Sequence, residues 1–306
     1  MTRKAVTNLA ASVRQRLLNL SHEMGENFNL VLAQYALERL LYRLSVSGFV
    51  DQFVLKGAML FVTWSGRLPR PTYDLDLLGY GTLSAEALAR IFTEISTLDV
   101  DPDGLTFHPE SIRVSEIRTE QEYGGQRIEL MASLEAARIP VRVDVGFGDI
   151  VTPAAQLVRF PTLLDFPPPC IYACPRETVI AEKLHAMVVL GLLNSRIKDF
   201  YDVWLLSRLF DFDGLTLTKA IDATFHRRRT TIPTSRVTAL TPAFAADPGK
   251  VTQWQAFLRR NRLDVGGRPL TQAVADILDF VGPPLLAAAS GIGFAARWPA
   301  GGPWTE

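Results

Sequence analysis

The chain has 306 residues, 48% of them hydrophobic and 21% charged, a composition that supports a packed core and excludes a disordered chain. Basic and acidic side chains balance at 32 each; residues 1–160 carry 16 basic and 19 acidic groups and the rest 16 and 13, an asymmetry too small to argue for a nucleic-acid partner. Two cysteines, Cys170 and Cys174, and four scattered histidines exclude a disulfide framework and a zinc cluster, and fit a reducing compartment. The N-terminus is charged on both sides of its apolar stretch, unlike a signal peptide. The longest uncharged run, 280–296, is interrupted by Gly282, Pro283 and Pro284, which argues against a membrane span. A soluble, cytoplasmic protein without a membrane partner is the expectation.

Along the chain, Leu9, Val13, Leu17 and Leu20, then Leu30, Ala33, Leu37, Leu40, Leu41 and Leu44, recur at helical spacing. Residues 53–55 form a short apolar run, followed by Gly57 and a helix-like stretch at 58–64. Pro69 and Pro71 mark a loop. Residues 73–78 alternate as a strand, 84–96 read as a helix, and 111–117, 127–131 and 141–145 are strand candidates rich in β-branched residues. This alternation predicts an α/β or α+β fold over about residues 45–150. The proline-rich segment PTLLDFPPPC (161–170) reads as a connection between lobes. After it, helices are predicted at 175–193, 197–210, 217–227, 251–260 and 270–280, and the Gly/Pro/Trp-rich tail is expected to be irregular and anchored by Trp298 and Trp304. The expected organisation is therefore a mixed lobe with N-terminal helices over 1–160 and a mainly helical lobe over 161–306.

Asp74 and Asp76 are the sharpest chemical feature. Residues two apart on a strand share a face, so both carboxylates point one way. The 141–145 strand repeats the pattern, with Val141, Val143 and Val145 on one face and Arg142, Asp144 and Gly146 on the other. If the two strands are neighbours, three carboxylates converge and repel one another. A hard divalent cation removes that repulsion, and Mg²⁺ is commonly held by one or two carboxylates together with substrate phosphates. Two such ions can serve an in-line displacement at phosphorus. A lone DxD is also compatible with solvated residues on an edge strand. Gly57 sharpens the reading, because a glycine opening a helix lets backbone approach a phosphate.

A second constellation lies on helices. Lys183 sits inside an apolar stripe with Val179, Ile180, Met187 and Val188, where its stem either snorkels or its head group meets an anion. Taken alone, that placement predicts that Lys183→Met is neutral or stabilising for folding. In RIKDFYD (196–202), Asp199 and Asp202 share a helix face, Arg196 lies one turn before Asp199, and Lys198 is spaced to pair with Asp202. The flanking Phe200, Tyr201, Val203 and Trp204 indicate a buried helix whose carboxylates need partners, Lys183 among them. His226 to Arg229 and Arg259 to Arg262 are basic patches, either solvated surface or phosphate contacts.

The ordered set LKGAML, RPTYDLDLLG, VRVDVG, PRETVIAEKL and RIKDFYDVWLL resembles the AbiEii/AbiGii toxin family of nucleotidyltransferases, within the polymerase-β-like superfamily. The resemblance covers about residues 53–206, and the WPAGGPW tail is also family-like. It implies an α+β fold, with a polymerase-β-like core on a mixed sheet and a C-terminal helical lobe completing the active site. It further implies a phosphate-binding turn at Gly57, flanked by Lys56 and Ala58, and metal-binding carboxylates Asp74, Asp76 and Asp144. Lys183 would contact nucleotide, with Lys198 near it, and Asp199 or Asp202 would be the essential aspartate of the last motif. The implied cofactor is Mg²⁺, or Mn²⁺ in its place. The implied substrates are an NTP and an acceptor, the 3′ end of tRNA, whose modification blocks translation; a cognate antitoxin encoded nearby is the implied partner. Arg227, Arg228, Arg229, Arg259, Arg260 and Arg262 would then be the tRNA contacts. Two departures stand out: Ala58 offers no hydroxyl to a phosphate where members often have Gly or Ser, and Tyr73 replaces a basic residue before DxD. A small-molecule transferase similar to the aminoglycoside-modifying enzymes, a non-catalytic nucleotide-binding protein and a metal-dependent nuclease are the rival readings.

Overall fold

The structure, a computed structural model, describes residues 8–117 and 124–306. The first seven residues, part of the stretch read above for a signal peptide, lie outside the described residues. The chain divides into two compact units, Met1–Gly148 with Gln156–Ala173, and Asp149–Ala155 with Cys174–Glu306.

The first unit is built on a seven-stranded mixed sheet of β1 (Phe53–Lys56), β2 (Asp74–Gly79), β3 (Leu105–Ile117), β4 (Gly125–Leu134), β5 (Ala137–Phe147), β6 (Gln156–Arg159) and β7 (Cys170–Ala173). Their order is β3-β4-β5-β2-β1-β7-β6. β2 runs parallel to β5 and β1 parallel to β7, while the remaining pairs are antiparallel. Alternation decides which side is core: Ile128, Leu130 and Ala132 of β4 and Val141, Val143 and Val145 of β5 are buried. The helices are α1 (Leu9–Met24), α2 (Phe28–Ser45), α3 (Leu60–Ser65) and α4 (Ala85–Thr97). Asn8, Asn27 and Ser84 cap α1, α2 and α4 through side-chain acceptors at the first free N–H groups. α2 packs on β5 and β7, and α4 on β3.

The proline-rich segment departs from its sequence reading. It lies within the first unit, between two strands that its short apolar runs did not reveal. Glu38 of α2, 1% exposed, accepts the Leu163 N–H at 2.7 Å. Arg39 donates to the Pro167 carbonyl at 2.9 Å and lies over the Phe166 ring. The prolines thus hold irregular backbone against α2, which supplies hydrogen bonds the segment cannot make for itself. Burial pushes the Glu38 carboxyl up to about 7, against the opposing pull of the Arg39 charge and the Leu163 N–H.

The second unit contains α5 (Arg176–Leu190), α6 (Ile197–Leu209), α7 (Gly214–Arg227), α8 (Pro242–Ala246), α9 (Pro248–Arg260) and α10 (Leu270–Ser290), with a short ribbon of β8 (Phe212–Asp213) and β9 (Arg297–Trp298). α10 runs through Gly282, Pro283 and Pro284, past the end predicted at 280. A proline at 284 has no N–H for the Phe280 carbonyl. The Trp304 indole supplies one instead, donating to that carbonyl at 2.9 Å. Similarly, the Ser207 carbonyl near the end of α6 accepts from the Trp298 indole at 2.8 Å and from the Gly301 N–H at 2.9 Å. Both tryptophans are anchors, as expected from the sequence. α10 is long and apolar enough to cross a membrane by length and composition, yet Ala273, Val274, Ile277, Phe280 and Val281 are buried, and the helix packs on α6 and α7.

Trp304→Phe should keep the ring stacked on Phe280 but leave that carbonyl without its donor. An orphaned buried acceptor costs about 1–3 kcal/mol. Urea denaturation should show a loss in that range, and an unchanged midpoint would mean that water replaces the indole.

Candidate active site

The sheet face opposite the core is laid out by register. Asp76 of β2 stands beside Asp144 of the parallel β5, with Lys56 of β1 on its other side and Arg127 of β4 beyond Asp144. Two residues along, Asp74 stands beside Arg142, which is followed by Glu129 of β4 and Arg113 of β3. Strand pairing therefore brings all three predicted aspartates to one face and interleaves them with basic residues. Arg127 grips Asp144 with a fork of two bonds, Nε to Oδ1 at 2.8 Å and Nη2 to Oδ2 at 2.7 Å. Hydrogen bonds to Asp144 and the charges of Asp144, Asp74 and Glu129 raise the Arg127 pKa above the ordinary arginine value, with burial opposing. Arg142 reaches Asp74 at 3.2 Å and Glu129 at 3.4 Å, and its Nε is buried without a hydrogen-bond partner. Tyr73, Asp74, Arg113 and Arg142 line a cavity of about 670 Å³ that extends to Leu32 of α2.

The donor set fits a hard cation only in part. Asp74 and Asp76 offer two carboxylates on one face, the number that Mg²⁺ commonly takes from protein. Asp144, sequence-predicted as the third ligand, has both oxygens engaged by Arg127. Among the described residues, no group of three or more His, Cys, Asp or Glu side chains is arranged to hold a metal.

Gly57 follows β1 with φ +69°, in the left-handed region, and a Cβ there would run into the Asp76 carboxylate. The turn glycine is thus required by the closeness of backbone to Asp76. α3 begins at Leu60 rather than at Ala58, because Gly57 to Met59 form the turn whose carbonyls accept the first N–H groups of the helix. With six residues, α3 contributes little dipole. Ala58 is buried and Lys56 is half-buried.

In the second unit, Lys183 of α5 donates to Asp199 Oδ1 at 2.6 Å and to Asp202 Oδ2 at 2.9 Å, both from α6. The side chains of the two aspartates are 1% exposed, and Arg196 forms a further ion pair with Asp199. Burial alone would raise the Asp199 pKa, but the charges of Lys183 and Arg196 outweigh it and hold it below the usual carboxylate value. Lys198 remains exposed, while Asp202 turns inward to Lys183. Of the basic patches, Arg227, Arg229, Arg259, Arg260 and Arg262 are exposed. Arg228 differs: it pairs with Asp149 at 2.8 Å and stands 3.2 Å from Nδ1 of the buried His185. The residues that sequence reasoning passed over, Arg127 and Glu129, share strand parity, but only the β4–β5 register reveals their neighbours.

These features, a mixed sheet with a DxD strand beside a third aspartate strand, accompany membership of a transferase class. A family model described as the nucleotidyl transferase AbiEii toxin of type IV toxin–antitoxin systems matches residues 39–278. The chain belongs to the AbiEii family, and membership of such a toxin family implies a cognate antitoxin. No curated protein matches the chain. Among solved structures, it is similar to JHP933 from Helicobacter pylori, at 12% identity and TM-score 0.47 over 86% of this chain and 93% of that one. A second H. pylori structure, described as a candidate nucleotidyltransferase, matches at 13% identity and TM-score 0.47 over 86% and 95%.

The paired aspartates reverse the expectation for Lys183→Met. Without the ammonium, two carboxylates buried side by side lose the cation they share, with Arg196 remaining at Asp199, which should cost about 3–5 kcal/mol. Thermal melting of Lys183→Met should show this loss, and adding Asp199→Asn and Asp202→Asn should recover most of it. A single variant as stable as wild type would place the ammonium in solvent.

Proposed function

We propose that this chain transfers a nucleoside monophosphate from an NTP to the 3′ end of tRNA and thereby blocks translation. The observation that carries the reading is the shared face of Asp74 and Asp76 beside the Gly57 turn, in a chain of a nucleotidyltransferase toxin family. Asp74 and Asp76 would hold a divalent cation, Mg²⁺ or Mn²⁺, which when bound would neutralise charge on the transferring phosphate and on the departing pyrophosphate. The Gly57 backbone, with Lys56 and Ala58 beside it, would be the turn that receives the phosphates. Asp144 would stand near the acceptor hydroxyl, and a carboxylate has lone pairs left for a hydroxyl proton even when an arginine grips both oxygens. In the second unit, Lys183 would contact nucleotide as the family resemblance implies, with Asp199 and Asp202 fixing its position and Lys198 exposed on the same unit.

The test is incubation of the protein with Mg²⁺, each labelled NTP in turn and total tRNA. Label in tRNA with release of pyrophosphate supports the reading. Label in small molecules only would favour the aminoglycoside-like alternative, and nucleotide binding without pyrophosphate a non-catalytic one. Asp76→Asn should abolish transfer with an unchanged circular dichroism spectrum, since the amide keeps the shape but loses the charge; full turnover in this variant would remove the cation from Asp76.

A polyanionic acceptor needs its phosphates neutralised away from the aspartates. Replacing Arg227 and Arg229 by Ala should weaken tRNA binding and flatten the plot of log affinity against log salt by roughly one unit or less for each lost contact. Arg228→Ala should instead lower the melting temperature, because its charge is committed to Asp149. Parallel salt plots for wild type and the double variant would remove this patch from the acceptor site.

A further inference from the structure

We propose that Arg127 is a positioning residue that keeps Asp144 out of the coordination sphere of the cation, so that the chain holds a single divalent cation on Asp74 and Asp76 while the guanidinium supplies the second positive charge on this face. The inference rests on the cation reading above and revises its ligand set. Three observations carry it. Arg127 and Asp144 are directly paired across β4 and β5, so the contact is built into the sheet register and not into a loop. The guanidinium engages both carboxylate oxygens, at 2.7 and 2.8 Å, in the fork geometry that is strongest for this pair. The Asp144 side chain is 19% exposed against 40% for Asp74, so the Arg127–Asp144 pair is the more shielded from water, whereas half-buried Asp74 meets Arg142 through a single longer contact of 3.2 Å.

For Asp144 to bind metal, the ion would have to use the lone pairs left over from two charge-assisted hydrogen bonds, and this second dication would then sit close to a guanidinium that cannot lose its proton. Two-ion sites place their cations about 3.5–4 Å apart, bridged by shared carboxylates. On this face Asp144, the β5 neighbour of Asp76, is already bridged to a fixed organic cation. Arg127 is also a better partner than a lysine here, because its planar fork sets the carboxylate plane as well as its charge.

The experiment titrates the full-length chain with Mn²⁺ alone, counting free ion by electron paramagnetic resonance and bound ion by calorimetry. Wild type should bind one Mn²⁺ per chain. Asp76→Asn should abolish binding, and Asp144→Asn should leave the Mn²⁺ affinity unchanged. Arg127→Met should free Asp144 and either add a second ion or tighten the first by about tenfold, at the low end of outer-shell effects on metal affinity. Arg127→Lys should retain a single ion. Two ions in wild type, or a loss in Asp144→Asn equal to that in Asp76→Asn, would overturn the proposal while leaving the cation reading standing. No Mn²⁺ bound by folded wild type would refute that reading itself. Should Arg127→Met fail to fold, the wild-type count and the Asp144→Asn affinity decide the matter.

Discussion

Like charges brought side by side in a sheet repel, and the arrangement of the first unit answers to that constraint. The parallel register of β2 and β5 puts Asp76 next to Asp144, a placement that destabilises the sheet unless it is compensated. Compensation comes from the flanking strands: Lys56 on one side and Arg127 on the other, with Arg142 set between Asp74 and Glu129 one step along. Gly57 belongs to the same solution, because a larger residue would displace the Asp76 carboxylate. The face is therefore a lattice of alternating charge, in which acidic and basic side chains from four neighbouring strands stand next to one another.

The second unit handles the same difficulty in a drier setting. Asp199 and Asp202 are more deeply buried than the sheet aspartates, and exposure to water gives them little relief. A single ammonium bonds to both, and Arg196 adds a second charge at Asp199. Removing one member of such a cluster unbalances its buried charge, so its residues are coupled and cannot be assigned independent roles from single substitutions. The same reasoning applies to Arg228: three successive arginines look alike in a sequence, and the structure pairs the middle one with Asp149.

Backbone polar groups impose the other strong constraint. Two prolines inside α10 would ordinarily argue for a break, and the tail looks like a loose end. The two features solve each other, since the Trp304 indole donates to a carbonyl that Pro284 cannot serve. The proline-rich stretch before β7 is similar, because Glu38 and Arg39 of α2 supply its missing partners.

The sequence by itself determined the pieces whose signal is local. The helical stripes of α1, α2, α4, α5 and α6, the alternation of β2 and β5, the shared parity of Asp74 with Asp76 and the family motifs all follow from spacing within one element. It also offered Lys183 as a candidate partner for the α6 aspartates, because burial of a charge demands a partner whatever the fold, but not that the ammonium would bond to both. Tertiary structure decided the rest, for a consistent reason: the deciding interactions join residues far apart in the chain. Pairing of β4 with β5 gave Asp144 to Arg127, which no local pattern encodes. Four-residue strands β6 and β7 are too short for a periodic signal; β7 pairs with β1 and packs on α2, and β6 pairs with β7 at the sheet edge. The continuation of α10 past its prolines depended on an indole 24 residues away, since a helix-breaking residue is tolerated only where another group completes the hydrogen bond it forfeits.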